Sequence, residues 1–82
     1  MAKIIYFTAP WCGPCKALGP TMDKLSLEIP IHKVNIDKDM EKSTHYGVRS
    51  VPTLIKVDLN NNEISRTVGN KSKEDILNWY NG

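Results

Sequence analysis

Two residues, Cys12 and Cys15, are the best candidates for chemistry in this sequence, and they are its only cysteines. Residues three apart on a helix have Cβ atoms about 5 to 6 Å apart, and a disulfide needs Cα atoms about 4.4 to 6.8 Å apart. The spacing therefore predicts a pair that closes and opens a disulfide with little movement of the backbone. Such a pair can exchange its disulfide with that of another molecule.

The pair lies where a predicted strand gives way to a predicted helix, and this position predicts different roles for the two sulfurs. The first helical turn has unpaired N–H groups and a partial positive charge, which favour a thiolate at Cys12. Gly13 leaves room beside that sulfur, and Pro14 suits a first turn because it has no N–H group to leave unpaired. We predict that Cys12 is the nucleophile, the more acidic and more accessible sulfur, and that Cys15 is the resolving thiol facing the sheet.

Two other uses of the pair remain open on the residues alone. A structural disulfide across these four residues would contribute about 2 kcal/mol, against about 3 kcal/mol for a loop of fifteen. A zinc site needs four ligands, and the remaining candidates, His32 and His45, have twelve residues between them, where zinc fingers have about three to five. An iron–sulfur cluster lacks two of its thiolates. We expect no metal site.

The apolar pattern around the pair predicts an α/β protein. A helix with one apolar side follows the cysteines, with apolar residues at steps of four, three and four: Leu18, Met22, Leu25 and Ile29. We predict strands over residues 3–8, 31–36, 53–57 and 63–68. We predict helices over residues 13 to about 29, over 39 to about 46, and after an N-cap at Ser72.

This order, β-α-β-α-β-β-α, predicts parallel pairing first and an antiparallel hairpin afterwards, through an asparagine-rich turn at residues 59–62. Helices on both faces of one four-stranded mixed sheet would give three layers, α/β/α. The 82 residues are enough for one domain, over residues 1–82.

Composition excludes several classes of protein. The formal net charge is only +2, and the lysines are scattered, so we expect no nucleic-acid partner. The longest uncharged stretch, residues 4–15, has twelve residues and is interrupted by proline and glycine, so we expect no membrane span. No basic segment precedes an apolar run, so we expect no signal peptide and a cytoplasmic protein.

A set of motifs in order along almost the whole chain resembles the thioredoxin family. The motifs that carry the resemblance are Ala9-Pro10-Trp11-Cys12-Gly13-Pro14-Cys15-Lys16, Pro20, Val34-Asn35-Ile36-Asp37, Tyr46-Gly47-Val48-Arg49, Val51-Pro52-Thr53 and Val68-Gly69. The resemblance implies a thioredoxin fold, trimmed of the family's usual first strand and helix. It also implies a protein-disulfide reductase and electron carrier that needs no bound cofactor, only a redox-active disulfide between Cys12 and Cys15.

The resemblance also implies a substrate-binding surface. In the family the proline matched by Pro52 is cis and lies against the disulfide, so we predict a cis bond between Val51 and Pro52. With Trp11 and Gly69, these residues would form an apolar rim that holds an extended substrate segment. The simpler alternatives are a trans proline that starts a strand and a tryptophan that only packs on the fold.

One departure from the family lies beneath the predicted active site. The family's buried aspartate is matched by Tyr6, and the lysine that accompanies it is matched by Lys33. A phenol with an ordinary pKa near 10 accepts protons poorly at neutral pH. We therefore expect Cys15 to lose its proton to water or to the leaving thiolate, with Tyr6 and Lys33 only shaping the field, and Tyr6 to be mainly a core residue.

The resemblance implies partners as well. The electron donor would be thioredoxin reductase, an NADPH-dependent flavoprotein. The substrates would be disulfide-bearing proteins, with ribonucleotide reductase as one candidate. The protein itself would be a monomer. The alternatives are a glutaredoxin-like reductase recycled by glutathione, a binding module within a larger assembly, and a metal-binding module.

Overall fold

The computed structural model describes residues 2–82. Within that range the chain forms four strands and three helices in the predicted order. Their bounds are β1 (Lys3–Thr8), α1 (Gly13–Leu25), β2 (Ile31–Asn35), α2 (Met40–His45), β3 (Thr53–Val57), β4 (Glu63–Val68) and α3 (Lys73–Asn81).

The four strands form one mixed sheet in the order β2-β1-β3-β4. β1 pairs in parallel with β2 and antiparallel with β3, and β3 pairs antiparallel with β4. An interior strand has neighbours on both edges, and helices cover both faces here, so five consecutive residues of β1 after Lys3 are buried. This explains why β1 has an unbroken apolar sequence instead of an alternating one.

The helices lie on both faces of the sheet, which confirms the predicted three layers. On one face, a core cluster combines residues of α1 and α3 with inward side chains of the sheet, among them Leu18, Met22, Leu25, Ile76, Ile4, Tyr6 and Leu54. On the other face, Tyr46 at the end of α2 packs with Val48 against a second cluster: Ile5, Phe7, Val34, Ile55 and Val57. Alternate residues of β1 thus serve opposite layers.

The first helix is shorter than predicted. It ends at Leu25 instead of about Ile29, because the N–H groups of both Glu28 and Ile29 bond to the Leu25 carbonyl at 2.9 Å and close a turn. Pro30 disfavours helical backbone at the residue before it. Ile29 is still buried, 6% exposed, so its apolar character reflects packing from a turn.

The other predicted bounds agree with the structure to within one residue, and β1, β3 and β4 match fully. The turn before β4 uses an asparagine in the left-handed region, Asn61 with φ 64°, as its sequence predicts. Ser72 caps α3, since its Oγ accepts a hydrogen bond from the Asp75 N–H at 3.1 Å.

Candidate active site

The two cysteines are joined by a disulfide, with their Cα atoms 5.2 Å apart. Cys12 has extended backbone and is the N-cap of α1, and its Sγ accepts a hydrogen bond from the Cys15 N–H at 3.1 Å. A side-chain acceptor at this position satisfies one of the N–H groups that a helix leaves unpaired at its start. The sulfur of Cys12 therefore occupies the place where helix geometry favours negative charge.

Exposure does not separate the two sulfurs in the disulfide form. Cys12 is 5% exposed and Cys15 is 3% exposed, and both pack against Ala9. What distinguishes them is bonding, because only the Cys12 sulfur receives an N–H bond from the helix start. The expected difference in accessibility is therefore not seen in the disulfide form, and the expected difference in acidity rests on this hydrogen bond to the Cys12 sulfur.

A loop far along the chain, which contains Val51 and Pro52, reaches the disulfide. The peptide bond between Val51 and Pro52 is cis, as predicted. The Cys12 Sγ lies 3.5 Å from the Val51 carbonyl oxygen, and the Gly69 N–H donates to the Pro52 carbonyl at 2.9 Å. Gly69 has φ 94°, a backbone conformation that glycine adopts without strain. The structure thus places Val51 against Cys12, with Pro52 next along the chain and Gly69 bonded to Pro52.

Trp11, the residue before Cys12, is exposed and is also anchored to the fold. It is 65% exposed, and its Nε1 donates to the Asp37 Oδ2 at 2.9 Å. The two readings of Trp11, as a substrate contact and as a packed anchor, are therefore compatible. The sequence analysis gave Asp37 no role in the site. A signal for it exists, because Asp37 is the last residue of the motif Val34-Asn35-Ile36-Asp37. The Asn35 Oδ1 accepts a hydrogen bond from the Asp37 N–H at 2.9 Å, which is a recognisable turn pattern.

Tyr6 lies beneath the pair, in the core. It is 3% exposed and belongs to the cluster packed against α1 and α3. Its hydroxyl donates a long hydrogen bond, 3.4 Å, to the Cys15 carbonyl oxygen. Lys33 is its register partner on β2 and is exposed. Both residues, with Cys15, line a cavity of about 340 Å³ at this end of the sheet.

The two histidines lie away from the disulfide, on the α2 side of the sheet. Both are exposed, and His32 Nε2 lies 3.4 Å from the Lys42 Nζ. Within residues 2–82, no group of three or more histidine, cysteine or acidic side chains is arranged to hold a metal ion. None of the helices in that range is both long and apolar enough to cross a membrane.

The fold and the site together define a class of protein. A Cys-x-x-Cys disulfide at the start of a helix, beside a cis-proline loop on an α/β/α scaffold, is the arrangement of a thiol–disulfide oxidoreductase. The thioredoxin family model matches residues 1–81 of the sequence. The chain belongs to the thioredoxin family.

Individual relatives agree with this assignment. Thioredoxin from Chlamydia pneumoniae is 42% identical over 81 residues, covering 95% of this chain and 78% of the relative. Thioredoxin from Rickettsia typhi is 38% identical over 82 residues, covering 95% and 77%.

Solved structures show the same fold. A mutant thioredoxin from Halobacterium salinarum NRC-1 superposes with a TM-score of 0.88 at 27% identity, over 96% of this chain and 71% of that one. A reduced thioredoxin pre-protein from Schistosoma mansoni gives a TM-score of 0.86 at 29% identity, over 98% and 76%.

Proposed function

We propose that this protein reduces disulfides of other proteins by dithiol–disulfide exchange, with Cys12 as nucleophile and Cys15 as resolving thiol. The observation that carries the proposal is the hydrogen bond from the Cys15 N–H to the Cys12 Sγ at the start of α1. In the reduced protein the same N–H group would stabilise a thiolate on Cys12, because hydrogen bonds to an ionised acceptor are the stronger ones. The thiolate is the form that attacks disulfides.

The reaction has two exchanges. The Cys12 thiolate attacks one sulfur of the substrate disulfide, forming a mixed disulfide and releasing the other substrate sulfur as a thiolate. The Cys15 thiolate then attacks the Cys12 sulfur, the bond to the substrate breaks, and the second substrate sulfur leaves. Two electrons pass from the cysteine pair to the substrate. The 5.2 Å between the Cα atoms lets the pair close with little backbone movement.

The substrate would lie across the rim formed by Trp11, Val51, Pro52 and Gly69. Trp11 supplies exposed apolar surface, and the Val51 carbonyl lies beside the Cys12 sulfur. An extended segment beside this carbonyl can make a backbone hydrogen bond while its cysteine faces Cys12. Recognition of this kind depends on backbone and apolar contact, so it suits many different protein disulfides.

An external donor must restore the dithiol after each turnover. We assign this role to thioredoxin reductase, an NADPH-dependent flavoprotein, and place the protein in the cytoplasm as a monomer, with ribonucleotide reductase as a candidate substrate. Recycling distinguishes this assignment from a glutaredoxin-like one. NADPH consumption with thioredoxin reductase should be fast and recycling by glutathione slow; the opposite order would favour the glutaredoxin-like alternative.

The insulin-reduction assay tests the chemistry itself, with the two cysteine variants as a matched pair. Wild-type protein should accelerate precipitation of insulin in dithiothreitol. After pre-reduction and removal of the dithiothreitol, Cys15→Ser mixed with insulin should accumulate a mixed disulfide, because attack proceeds and resolution does not. Cys12→Ser should trap nothing, although serine keeps the helix cap. Equal trapping by the two variants would contradict the assigned roles.

A further inference from the structure

A larger cavity lies on the face of the sheet that α2 covers, and we call it the α2 cavity. It has a volume of about 560 Å³, within the range of about 300 to 1,000 Å³ that is usual for small-molecule sites. Its walls come from β1, β2, α2 and the turn before β4, and neither cysteine is among its lining residues. The thiol–disulfide chemistry therefore makes no use of this cavity.

Four basic side chains from three elements line the α2 cavity: Lys3 of β1, His32 of β2, and Lys42 and His45 of α2. The His32 Nε2 and the Lys42 Nζ lie only 3.4 Å apart. Among residues 2–82, ion pairs form only between other side chains, so neither Lys3 nor Lys42 has a carboxylate partner. An anion bound in the cavity would supply the counter-charge that these groups lack.

Two carboxylates also line the α2 cavity, and they make its charge depend on pH. The Asp39 Oδ1 accepts a hydrogen bond from the Lys42 N–H at 3.0 Å, so this carboxylate already has a donor. Glu41 is exposed and lies outside the ion pairs of the described range. The lining carries two positive and two negative charges while both imidazoles are neutral. Protonation of the two imidazoles, which occurs in histidines between about pH 5 and 8, leaves it net positive.

The spacing of the basic groups favours a phosphate over a simple carboxylate. A phosphate monoester carries about 1.5 to 2 negative charges near neutral pH and has three acceptor oxygens. One such group can accept hydrogen bonds from Lys42 and from a protonated His32 at once, because their nitrogens are 3.4 Å apart. A carboxylate has a single charge and two oxygens for the same donors.

The rest of the α2 cavity suits an organic group attached to the phosphate. Ile5, 2% exposed, lines the cavity from β1 and gives it an apolar floor. The rings of His45 and Tyr46 lie edge to face with centroids 4.8 Å apart. The Tyr46 hydroxyl donates to the Asn61 carbonyl oxygen at 2.7 Å, which holds this aromatic wall in place.

We propose that the α2 cavity binds a small organic phosphate, with the phosphate on Lys42 and His32 and the organic group against Ile5 and Tyr46. None of these residues belongs to the disulfide or to the rim around it. The inference therefore goes beyond the proposed function and does not depend on it.

Adenosine monophosphate is the probe for this site, and inorganic phosphate and adenosine are its two halves. In proton–nitrogen NMR spectra of the oxidised protein, the nucleotide should shift the amides of the residues that line the α2 cavity and leave those of Cys12 and Cys15 unchanged. It should bind at least about fivefold more tightly than either half alone. Raising the pH from about 6.5 to 8 should weaken binding about threefold, because the imidazoles lose their charge while the phosphate gains only about a quarter of one.

Single substitutions of opposite sign test the charges directly. Lys42→Gln should weaken binding of the nucleotide about fivefold, and Glu41→Gln should strengthen it about twofold. The double variant His32→Gln, His45→Gln should remove the pH dependence. Lys24→Gln is the matched control, because it removes the same charge from α1 on the opposite face of the sheet and should leave the affinity unchanged.

Three results would overturn the proposal: shifts scattered over the whole surface, equal losses of affinity in Lys42→Gln and Lys24→Gln, or binding of adenosine as tight as that of the nucleotide. Reduction of insulin is a separate readout that Lys42→Gln should leave unchanged. Wild-type protein that binds the nucleotide but does not reduce insulin would contradict the proposed function alone. Active protein without nucleotide binding would contradict only the role of the α2 cavity.

Discussion

Replacing Tyr6 by phenylalanine separates the two things that this residue does, which are filling the core and touching the resolving cysteine. The ring is buried, 3% exposed, and phenylalanine keeps it. The hydroxyl makes one hydrogen bond, to the Cys15 carbonyl at 3.4 Å, longer than the usual range of about 2.5 to 3.0 Å for such a bond. A typical hydrogen bond contributes about 0.5 to 1.5 kcal/mol, so this one belongs at the lower end.

We therefore expect Tyr6→Phe to lower the free energy of unfolding by about 0.5 kcal/mol. This corresponds to a fall in Tm of about 2 to 4 °C in a domain of this size. Tyr6→Ala is the control for the ring, and removal of a buried aromatic side chain costs about 3 to 5 kcal/mol. For 82 residues the whole free energy of unfolding is about 4 to 12 kcal/mol, so the alanine variant should lose a large share of it.

The kinetic assay decides whether the hydroxyl takes part in the chemistry. Stopped-flow measurement of mixed-disulfide resolution should show less than a twofold difference between wild type and Tyr6→Phe, because the hydroxyl bonds to a backbone carbonyl and not to a sulfur. Thermal unfolding of the same samples controls for stability. A tenfold loss of the resolution rate with a small change in Tm would refute this reasoning and make the phenol a participant.

Three further predictions concern single contacts. Asp37→Asn should weaken the hydrogen bond to Trp11, because it replaces a charge-assisted hydrogen bond with a neutral one. The indole fluorescence should change and KM for insulin should rise severalfold. An unchanged KM would mean that this hydrogen bond does not matter for substrate binding. Ser72→Ala should destabilise the protein by about 1 kcal/mol through loss of the α3 cap, measured by urea unfolding, and an equal loss in Ser72→Asn would argue against capping. The hydrogen bond from Arg66 holds the pKa of Glu63 below its ordinary value of 4.5, so this pair stabilises the protein above that pH and the stabilisation is lost as the pH falls through the folded-state pKa. At this exposed site Glu63→Gln should lower the free energy of unfolding by less than about 1 kcal/mol at pH 7 and should have no effect near pH 2. A difference in stability that does not depend on pH would contradict the assignment.

The sequence predicted the elements well because their signals are local. The uncharged run of β1 and the Ser72 cap need only neighbouring residues to be recognised. The predicted end of α1 was wrong because the helical spacing of apolar residues continues to Ile29. The turn that closes on the Leu25 carbonyl is not visible in that spacing. Most bonds before proline are trans, so the cis bond before Pro52 was predictable only through the family resemblance.

The parts of the site that could not be predicted from the sequence depend on long-range packing. The bond from Trp11 to Asp37 spans 26 residues, and the cavity beside Cys15 has walls from β1, α1 and β2. Such contacts arise when strands and helices are placed relative to one another, and the spacing of residues along one element does not encode them. This is why the contact between Asp37 and Trp11 emerges only in the folded protein.

The difference between the two thiols of the reduced protein is the property on which the proposed chemistry depends most. The most direct measurement is alkylation of that protein by a limiting amount of iodoacetamide across a pH series, with the modified cysteine identified by peptide mass spectrometry. We predict that Cys12 reacts first and that its rate levels off at a pH well below that of an ordinary thiol. Faster modification of Cys15, or two cysteines that both titrate near pH 8.5, would contradict this prediction.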